Sequence, residues 1–201
     1  VDLYLNKERL NTYNVEEKHK LIINGWFMRN YNRFYMSNNI EPLLISLHIT
    51  PTISKKFFKE KKNLKFLLEN APVGCRDYHT LGLLEKHNIP AYYSGCLTLT
   101  LKKNDKIEKK DYVLLYDVSP KVEEHVKKIT SRTVINISPM LNFWNTFEER
   151  MKIATLVLKK IQQAHVVITT RLHGALPAIA LETPVIFIEK TGWNTQKERC
   201  S

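Results

Sequence analysis

The chain has 201 residues, of which 43% are apolar and 25% charged, with only six Gly and eight Pro. That supports one large or two small domains with a sizeable core, and it excludes collagen-like, disulfide-scaffold and wholly disordered classes. The net charge of +11 suggests anionic partners, but Lys outnumbers Arg 23 to 8 alongside 16 Asn and 17 Ile, a bias that compositional drift also produces. Nucleic-acid readers favour the forked guanidinium of Arg, so no nucleic-acid partner is expected.

Cys75, Cys96 and Cys200 form no Cys-x-x-Cys pair, so neither a zinc ribbon nor a redox dithiol is indicated. Free thiols suit a reducing compartment. Residues 1–10 are charged and lack a signal-peptide apolar region, and no stretch reaches the roughly 20 apolar residues of a membrane span. A cytoplasmic protein is expected. The chain opens on Val rather than Met, and upstream sequence is expected.

In chain order, Leu21-Ile22-Ile23 predicts a first strand, halted by Asn24-Gly25. Residues 43–49 predict a second, between Pro42 and Thr50-Pro51. Ser54 is expected to cap a helix in which Phe57, Leu64 and Leu68 recur among lysines. Pro72-Val73-Gly74-Cys75 predicts a short strand, followed by a helix through Leu81, Leu84 and His87. Asn88-Ile89-Pro90 ends that helix, and Ala91-Tyr92-Tyr93 opens the next strand.

Residues 102–111 are polar with no apolar period, which predicts a boundary there between domains 1–105 and 106–201. The second half predicts a strand over 112–118, a helix over 121–131 and a strand over 134–137. The first of these helices has Val122, His125, Val126 and Ile129 on one face. A longer helix over 145–163 carries a stripe of Phe147, Met151, Ala154, Leu158 and Ile161. A strand over 166–169, a helix over 174–182 stopped by Pro184, and a strand over 185–188 complete the order.

Strands alternating with helices imply an α/β class with parallel sheets, their apolar runs covered by helices on both faces. Two Rossmann-like domains facing across a cleft are expected, with ligands beyond the carboxyl ends of the strands. The junctions so selected are Asn24-Gly25-Trp26, His48-Ile49-Thr50, Gly74-Cys75-Arg76-Asp77, Ser94-Gly95-Cys96 and Thr169-Thr170-Arg171-Leu172-His173-Gly174.

The last is the most informative. Arg171 and His173 lie between a strand and a helix N-terminus, where backbone N–H groups and the helix dipole favour an anion. Arg offers a fork for carboxylate or phosphate, His can exchange a proton near neutral pH, and Gly174 lets the backbone approach a ligand closely. The structural alternative is an Arg paired to a carboxylate and a His capping the turn. For Arg76-Asp77 the plainer reading is a capping Asp77 beside a solvated Arg76. His19, His87, His125 and His165 read as surface or helix-face histidines, and a strand-end Trp26 is more often core than a sugar platform. Cys75 and Cys96 each follow a Gly and read as packing residues, not nucleophiles. No Walker loop, Gly-x-Gly-x-x-Gly or His-Glu-x-x-His occurs, so no metal is expected.

Gly74-Cys75-Arg76-Asp77 followed by Ser94-Gly95-Cys96-Leu97-Thr98-Leu99-Thr100-Leu101 resembles the middle of polysaccharide pyruvyl transferase family proteins. Val166-Val167-Ile168-Thr169-Thr170-Arg171-Leu172-His173-Gly174, continuing to Thr183-Pro184-Val185-Ile186, resembles that family's C-terminal signature, and Asn24-Gly25-Trp26 recurs in some members. The resemblance spans about residues 20–188. It implies a two-domain fold similar to GT-B glycosyltransferases. It also implies transfer of pyruvate from phosphoenolpyruvate to a sugar, giving a ketal across two hydroxyls and releasing phosphate. Carried over, Arg171, Leu172, His173 and Gly174 with Arg76 are expected to bind the donor. Asn24, Trp26 and His48 are expected on the acceptor side. Relatives carry an upstream Gly-Asp-containing loop and continue past the last strand.

Phosphoenolpyruvate carries a carboxylate and a phosphate, so two guanidinium groups and a helix N-terminus suit it. Protonating its methylene gives an oxocarbenium-like C2 for a sugar hydroxyl to attack. One acid and one base are needed, and His173 is the best candidate for one of them. No cofactor is expected beyond this donor substrate. The acceptor is expected to be a glycan or lipid-linked sugar, with the basic surface offering peripheral membrane association. Three competing readings are a nucleotide-sugar glycosyltransferase of GT-B type, a non-enzymatic module whose charge grips nucleic acid or anionic glycans (weakened by lysines scattered over most helices), and a truncated, inactive relative that binds anionic ligands.

Overall fold

Short apolar runs separated by stretches long enough for a helix cannot pair as tight hairpins; they pair in parallel through crossovers. The computed structural model, which describes residues 10–13, 16–26, 31–138 and 146–189, has that organisation throughout. Two units divide between Leu97 and Thr98. Unit 1 runs β1 (His19–Trp26), β2 (Ile40–His48), α1 (Pro51–Lys59), α2 (Lys61–Glu69), β3 (Val73–Cys75), α3 (Tyr78–Lys86) and β4 (Ala91–Tyr93). Unit 2 runs β5 (Tyr112–Tyr116), α4 (Pro120–Ile129), β6 (Thr133–Ile137), α5 (Phe147–Gln163), β7 (Val166–Thr169), α6 (Leu172–Ala180) and β8 (Val185–Phe187). The protein is thus α/β with two parallel sheets. The polar stretch 102–111 lies on the unit 2 side of the division, where Asn104 and Gln162 exchange hydrogen bonds at 2.6 and 3.1 Å.

Unit 1 orders its strands β1-β2-β3-β4, so each crossover advances one position and no switch point arises. Its core gathers Ile23, Leu44, Leu47, Ile49, Phe57, Leu67, Val73 and Leu84, with Phe34 packed edge-on to Phe57 and Phe66. One irregularity sets the geometry of the site. Ile23 pairs with Leu44 and Gly25 with Leu47, so β2 advances three residues while β1 advances two. The extra residue is Ser46, at φ 59, in the left-handed region. Before it Ile40 and Leu44 face the core; after it Leu47 and Ile49 do. The parity of β2 is switched, and His48 falls between two core-facing residues instead of joining them. A bulge re-aims a side chain in this way. Ser46 is held in its conformation by Ser94, whose Oγ accepts from the Ser46 N–H at 3.0 Å and donates to the Cys75 carbonyl at 3.1 Å. Ser94 thereby ties the ends of β2, β3 and β4.

Unit 2 orders its strands β6-β5-β7-β8. One face of the sheet packs Ile161, Ala164, Ala178 and Leu181 from the α5 and α6 side against Leu114 and Val167. The other packs Val126 of α4 against Val113, Leu115 and Ile168. This sheet is wound on both sides.

Several sequence expectations are corrected. Ser54 does not cap a helix: Thr50 occupies the N-cap with Pro51 next, because a proline needs no N–H partner there and its fixed φ suits a helix start. The Ser54 hydroxyl instead donates to the Pro51 carbonyl at 2.8 Å. Asn24, Gly25 and Trp26 do not follow β1 but belong to it. Helices do not cover both faces of the unit 1 sheet around β1 and β2. The register partners Ile22 and Leu43 are exposed, and among the described residues the β1–β2 connection carries only a short 3-10 turn, Tyr31–Arg33. In α4, His125 and Ile129 are exposed, since only Val122 and Val126 reach the sheet. In α5, Met151 and Ala154 are exposed, and only Ile161 and Gln162 are buried, because packing is confined to its last turns. The reading of residues 1–9 and of Cys200 lies outside the described residues.

A left-handed backbone strongly disfavours a β-branched side chain and is free to glycine. Ser46→Val is therefore expected to lose about 1–3 kcal/mol of unfolding free energy in urea. Ser46→Gly is expected to lose less. Equal stability of the valine variant and wild type would show that the bulge relaxes without cost.

Candidate functional site

In unit 2 the chain leaves β5 through α4 on one face and leaves β7 through α6 on the other, while β5 and β7 are neighbours. Their carboxyl ends therefore open a crevice at the switch point, the position at which open α/β sheets bind ligands. The residues there are Tyr116, the last of β5, with Asp117 after it, and Thr169, the last of β7, with Thr170 to His173 after it. They are bonded to one another. Thr169 donates its hydroxyl to the Tyr116 carbonyl at 2.8 Å and accepts from the Arg171 N–H at 3.0 Å. Thr170 donates to the Asp117 carbonyl at 2.8 Å. Asp117 takes a left-handed φ of 54, and its carboxylate accepts from Arg171 Nε.

Arg171 is the N-cap residue of α6, Leu172 and His173 open the helix, and both Arg171 and His173 are exposed. Leu172 and His173 supply the first two amides of α6, at the positive end of the helix dipole. Gly174 is buried, and the close approach it permits is to the protein itself. A Cβ there would stand 2.6 Å from Thr169 Oγ1 and 2.8 Å from the Tyr116 ring. That glycine seats the first turn of α6 directly on the strand ends. Burial raises the Tyr116 phenol above its ordinary value, with Arg171 opposing and Asp117 adding to the rise. Of the two alternative readings, the structural one is met in part: Arg171 is paired to a carboxylate, that of Asp117. Asp117 is the residue sequence reasoning missed, because it lies 54 positions from Arg171 and only the β5–β7 pairing brings them together.

The carboxyl ends of unit 1 hold a second cluster. His48, 8% exposed, bonds through Nδ1 to Asp77 Oδ2 at 2.6 Å. Asp77 Oδ1 accepts from the Thr80 N–H at 2.8 Å, capping α3, and Thr80 Oγ1 accepts from the Ile49 N–H at 3.0 Å. Burial pushes the Asp77 carboxyl up, but the bonds from His48 and Thr80 outweigh it, and Asp77 lies below its ordinary value. The other ring nitrogen of His48, Nε2, lies 3.5 Å from the Thr50 hydroxyl oxygen. The plain expectation of Asp77 as a cap is met, and its bond to His48 is an addition. Arg76, half-buried, follows β3 and gives its N–H to the Leu47 carbonyl at 2.9 Å. Asn24 is exposed on β1; Trp26 is the register partner of His48, and its side chain lies outside the described residues. Cys75 and Cys96 are both buried. Burial, then Asp77 and Glu85, push the Cys75 thiol up to about 12, so it is no nucleophile at neutral pH. Among the described residues no group of three or more His, Cys, Asp or Glu could hold a metal ion, and no helix is long and apolar enough to cross a membrane.

The lowered Asp77 value carries a sign. A depressed carboxyl stabilises the fold above its unfolded value near 3.9, and that stabilisation is lost as pH falls through the folded value. Asp77→Ala is expected to cost about 1–2 kcal/mol at pH 7 in denaturant titrations, the cost of a lost cap. The gap to wild type should close below pH 4. A gap that is constant down to pH 2 would contradict the ionised cap.

The chain matches the family described as Polysaccharide pyruvyl transferase over residues 2–189, so the match takes in both clusters and nearly the whole sequence. No curated protein matches it. Two parallel α/β units, the Arg-Leu-His segment at a switch point and a family match of that extent agree: the chain belongs to the polysaccharide pyruvyl transferase family and is a transferase.

Proposed function

We propose that this chain transfers pyruvate from phosphoenolpyruvate to two hydroxyls of one sugar in a polysaccharide, oligosaccharide or lipid-linked glycan. The observation that carries the reading is Arg171 and the opening of α6 at the unit 2 switch point, in a chain of this family. Arg171 supplies two parallel charge-assisted bonds to the donor carboxylate or phosphate, with the Leu172 and His173 amides beside it. Gly174 keeps those amides close to the strand ends. Arg76 supplies the second guanidinium, which requires the two units to face each other across a cleft in the GT-B manner.

The bonds balance as follows. The donor methylene gains a proton and becomes a methyl group, the C2–O bond to phosphate breaks, and C2 forms two bonds to sugar oxygens. Of the two hydroxyl protons lost, one balances the proton given to the methylene and the other leaves with phosphate. His48, oriented by Asp77, is the base toward the acceptor hydroxyl. His173 then takes the acid role toward the methylene. Asn24 and Trp26 extend the acceptor side from β1. A lipid-linked acceptor would bring the basic surface of the protein against a membrane.

Arg171→Lys keeps the charge but not the fork. It is expected to lose about 1.5–3 kcal/mol of phosphoenolpyruvate binding by calorimetry, the worth of one charge-assisted bond. His173→Gln can still hydrogen-bond, so donor affinity should change only a few-fold while phosphate release in the presence of acceptor falls about 10²-fold or more. Near-native turnover in His173→Gln would leave this residue as an anion contact and remove the acid assignment.

A further inference from the structure

We propose that Tyr78 and Tyr93 form a pyranose-stacking subsite on the acceptor side of unit 1; this rests on the acceptor reading above. Their rings are stacked, 4.5 Å between centroids and 5° between planes, yet Tyr78 is 61% and Tyr93 50% exposed. Two tyrosines that bury only one face each against the other leave their outer faces to solvent. The pair thus presents flat apolar ring surface with a phenol hydroxyl at its edge, the amphipathic surface that suits a ligand with one apolar face.

The pair is also rigid. Tyr78 is the first residue of α3, whose start is fixed by the Asp77 cap, and Tyr93 is the last residue of β4, paired with Cys75. Rings held on a helix start and a strand end are pre-organised, so little ordering cost remains for a ligand. Their place in the chain gives the ligand its context. Tyr78 follows Asp77, the partner of His48, and Tyr93 precedes Ser94, which ties the three strand ends together. Tyr92, next in the chain, is exposed as well.

The chemistry fits a neutral sugar. A pyranose has one face of C–H groups, which packs on an aromatic ring, and a rim of hydroxyls that a phenol can bond. A family that acts on polysaccharide supplies such rings in series, and a stacking face one residue along the chain from Asp77 would hold a neighbouring residue of the glycan while the reacting residue meets the base. A nucleobase also stacks on tyrosine, and the test separates it.

The test is saturation-transfer NMR on the full chain at millimolar maltohexaose, cellohexaose, mannohexaose and galactohexaose, with uridine monophosphate as the comparison, all without phosphoenolpyruvate. At least one hexasaccharide is expected to receive saturation at its ring C–H protons. Tyr78→Ala and Tyr93→Ala should each cut that signal at least fivefold, while Tyr78→Phe and Tyr93→Phe keep most of it. Melting temperatures of the variants establish that they are folded. Signals unchanged in both alanine variants, no signal from any hexasaccharide, or a stronger response to uridine monophosphate would each overturn the subsite. Phosphoenolpyruvate affinity, measured on the same samples, should be unchanged by the tyrosine substitutions. Sugar binding at the tyrosines in a protein that releases no phosphate would leave the subsite standing and overturn the transfer reading alone.

Discussion

Parallel pairing is the constraint from which the rest follows. It sends the carboxyl end of every strand in a sheet to one edge, so residues far apart in the chain collect there without any local signal. In unit 2 it brings Asp117 to Arg171; in unit 1 it brings His48, Asp77 and Ser94 together. The two edges differ in kind. The unit 2 edge is a switch point, lined by an exposed guanidinium and a helix start. The unit 1 edge has no switch point, and its cluster is largely enclosed.

The Arg171–Asp117 pair contributes little to stability. Both groups are partly exposed, Arg171 the more so, and exposed ion pairs are worth roughly 0–1 kcal/mol. Its consequence is orientation: Asp117 engages Nε, one edge of the guanidinium, and so fixes the plane in which the planar group lies. The left-handed backbone of Asp117, held by Thr170, serves the same end. Of the four non-glycine residues in the left-handed region among those described, Ser46, Asn88, Asp117 and Glu182, two lie at these edges: Ser46 two residues before His48, and Asp117 as the partner of Arg171.

Much of the fold was legible because apolar runs of three to five residues between breakers have few ways to pair. The strand over 166–169 is found as expected, and so is the short strand ending at Cys75. The α4 and α5 stripes misled because periodicity identifies a face but not how much of the helix lies over the sheet; Met151 and Ile129 belong to the right stripe and are exposed all the same. The Ser46 bulge left no mark, since a serine in the left-handed region carries none of glycine's signal. Arg171 and His173 could be named from their position at a strand–helix junction. Asp117 could not, since nothing in the residues around it points 54 positions ahead. The Tyr78–Tyr93 stack escaped for a similar reason: Tyr93 reads only as part of the opening of a strand, nothing in the sequence singles out Tyr78, and only the β3–β4 pairing brings the two rings together.

The central claim is that the carboxyl ends of β5 and β7 bind a compact polyanionic donor. Titrating phosphoenolpyruvate into nitrogen-15-labelled protein and following amide and Arg Nε resonances tests it most directly. The account predicts saturable shifts at Asp117, Arg171 Nε and the Leu172 and His173 amides, at concentrations where inorganic sulfate produces much smaller ones. Shifts confined to other parts of the molecule, or none at millimolar donor, would contradict it.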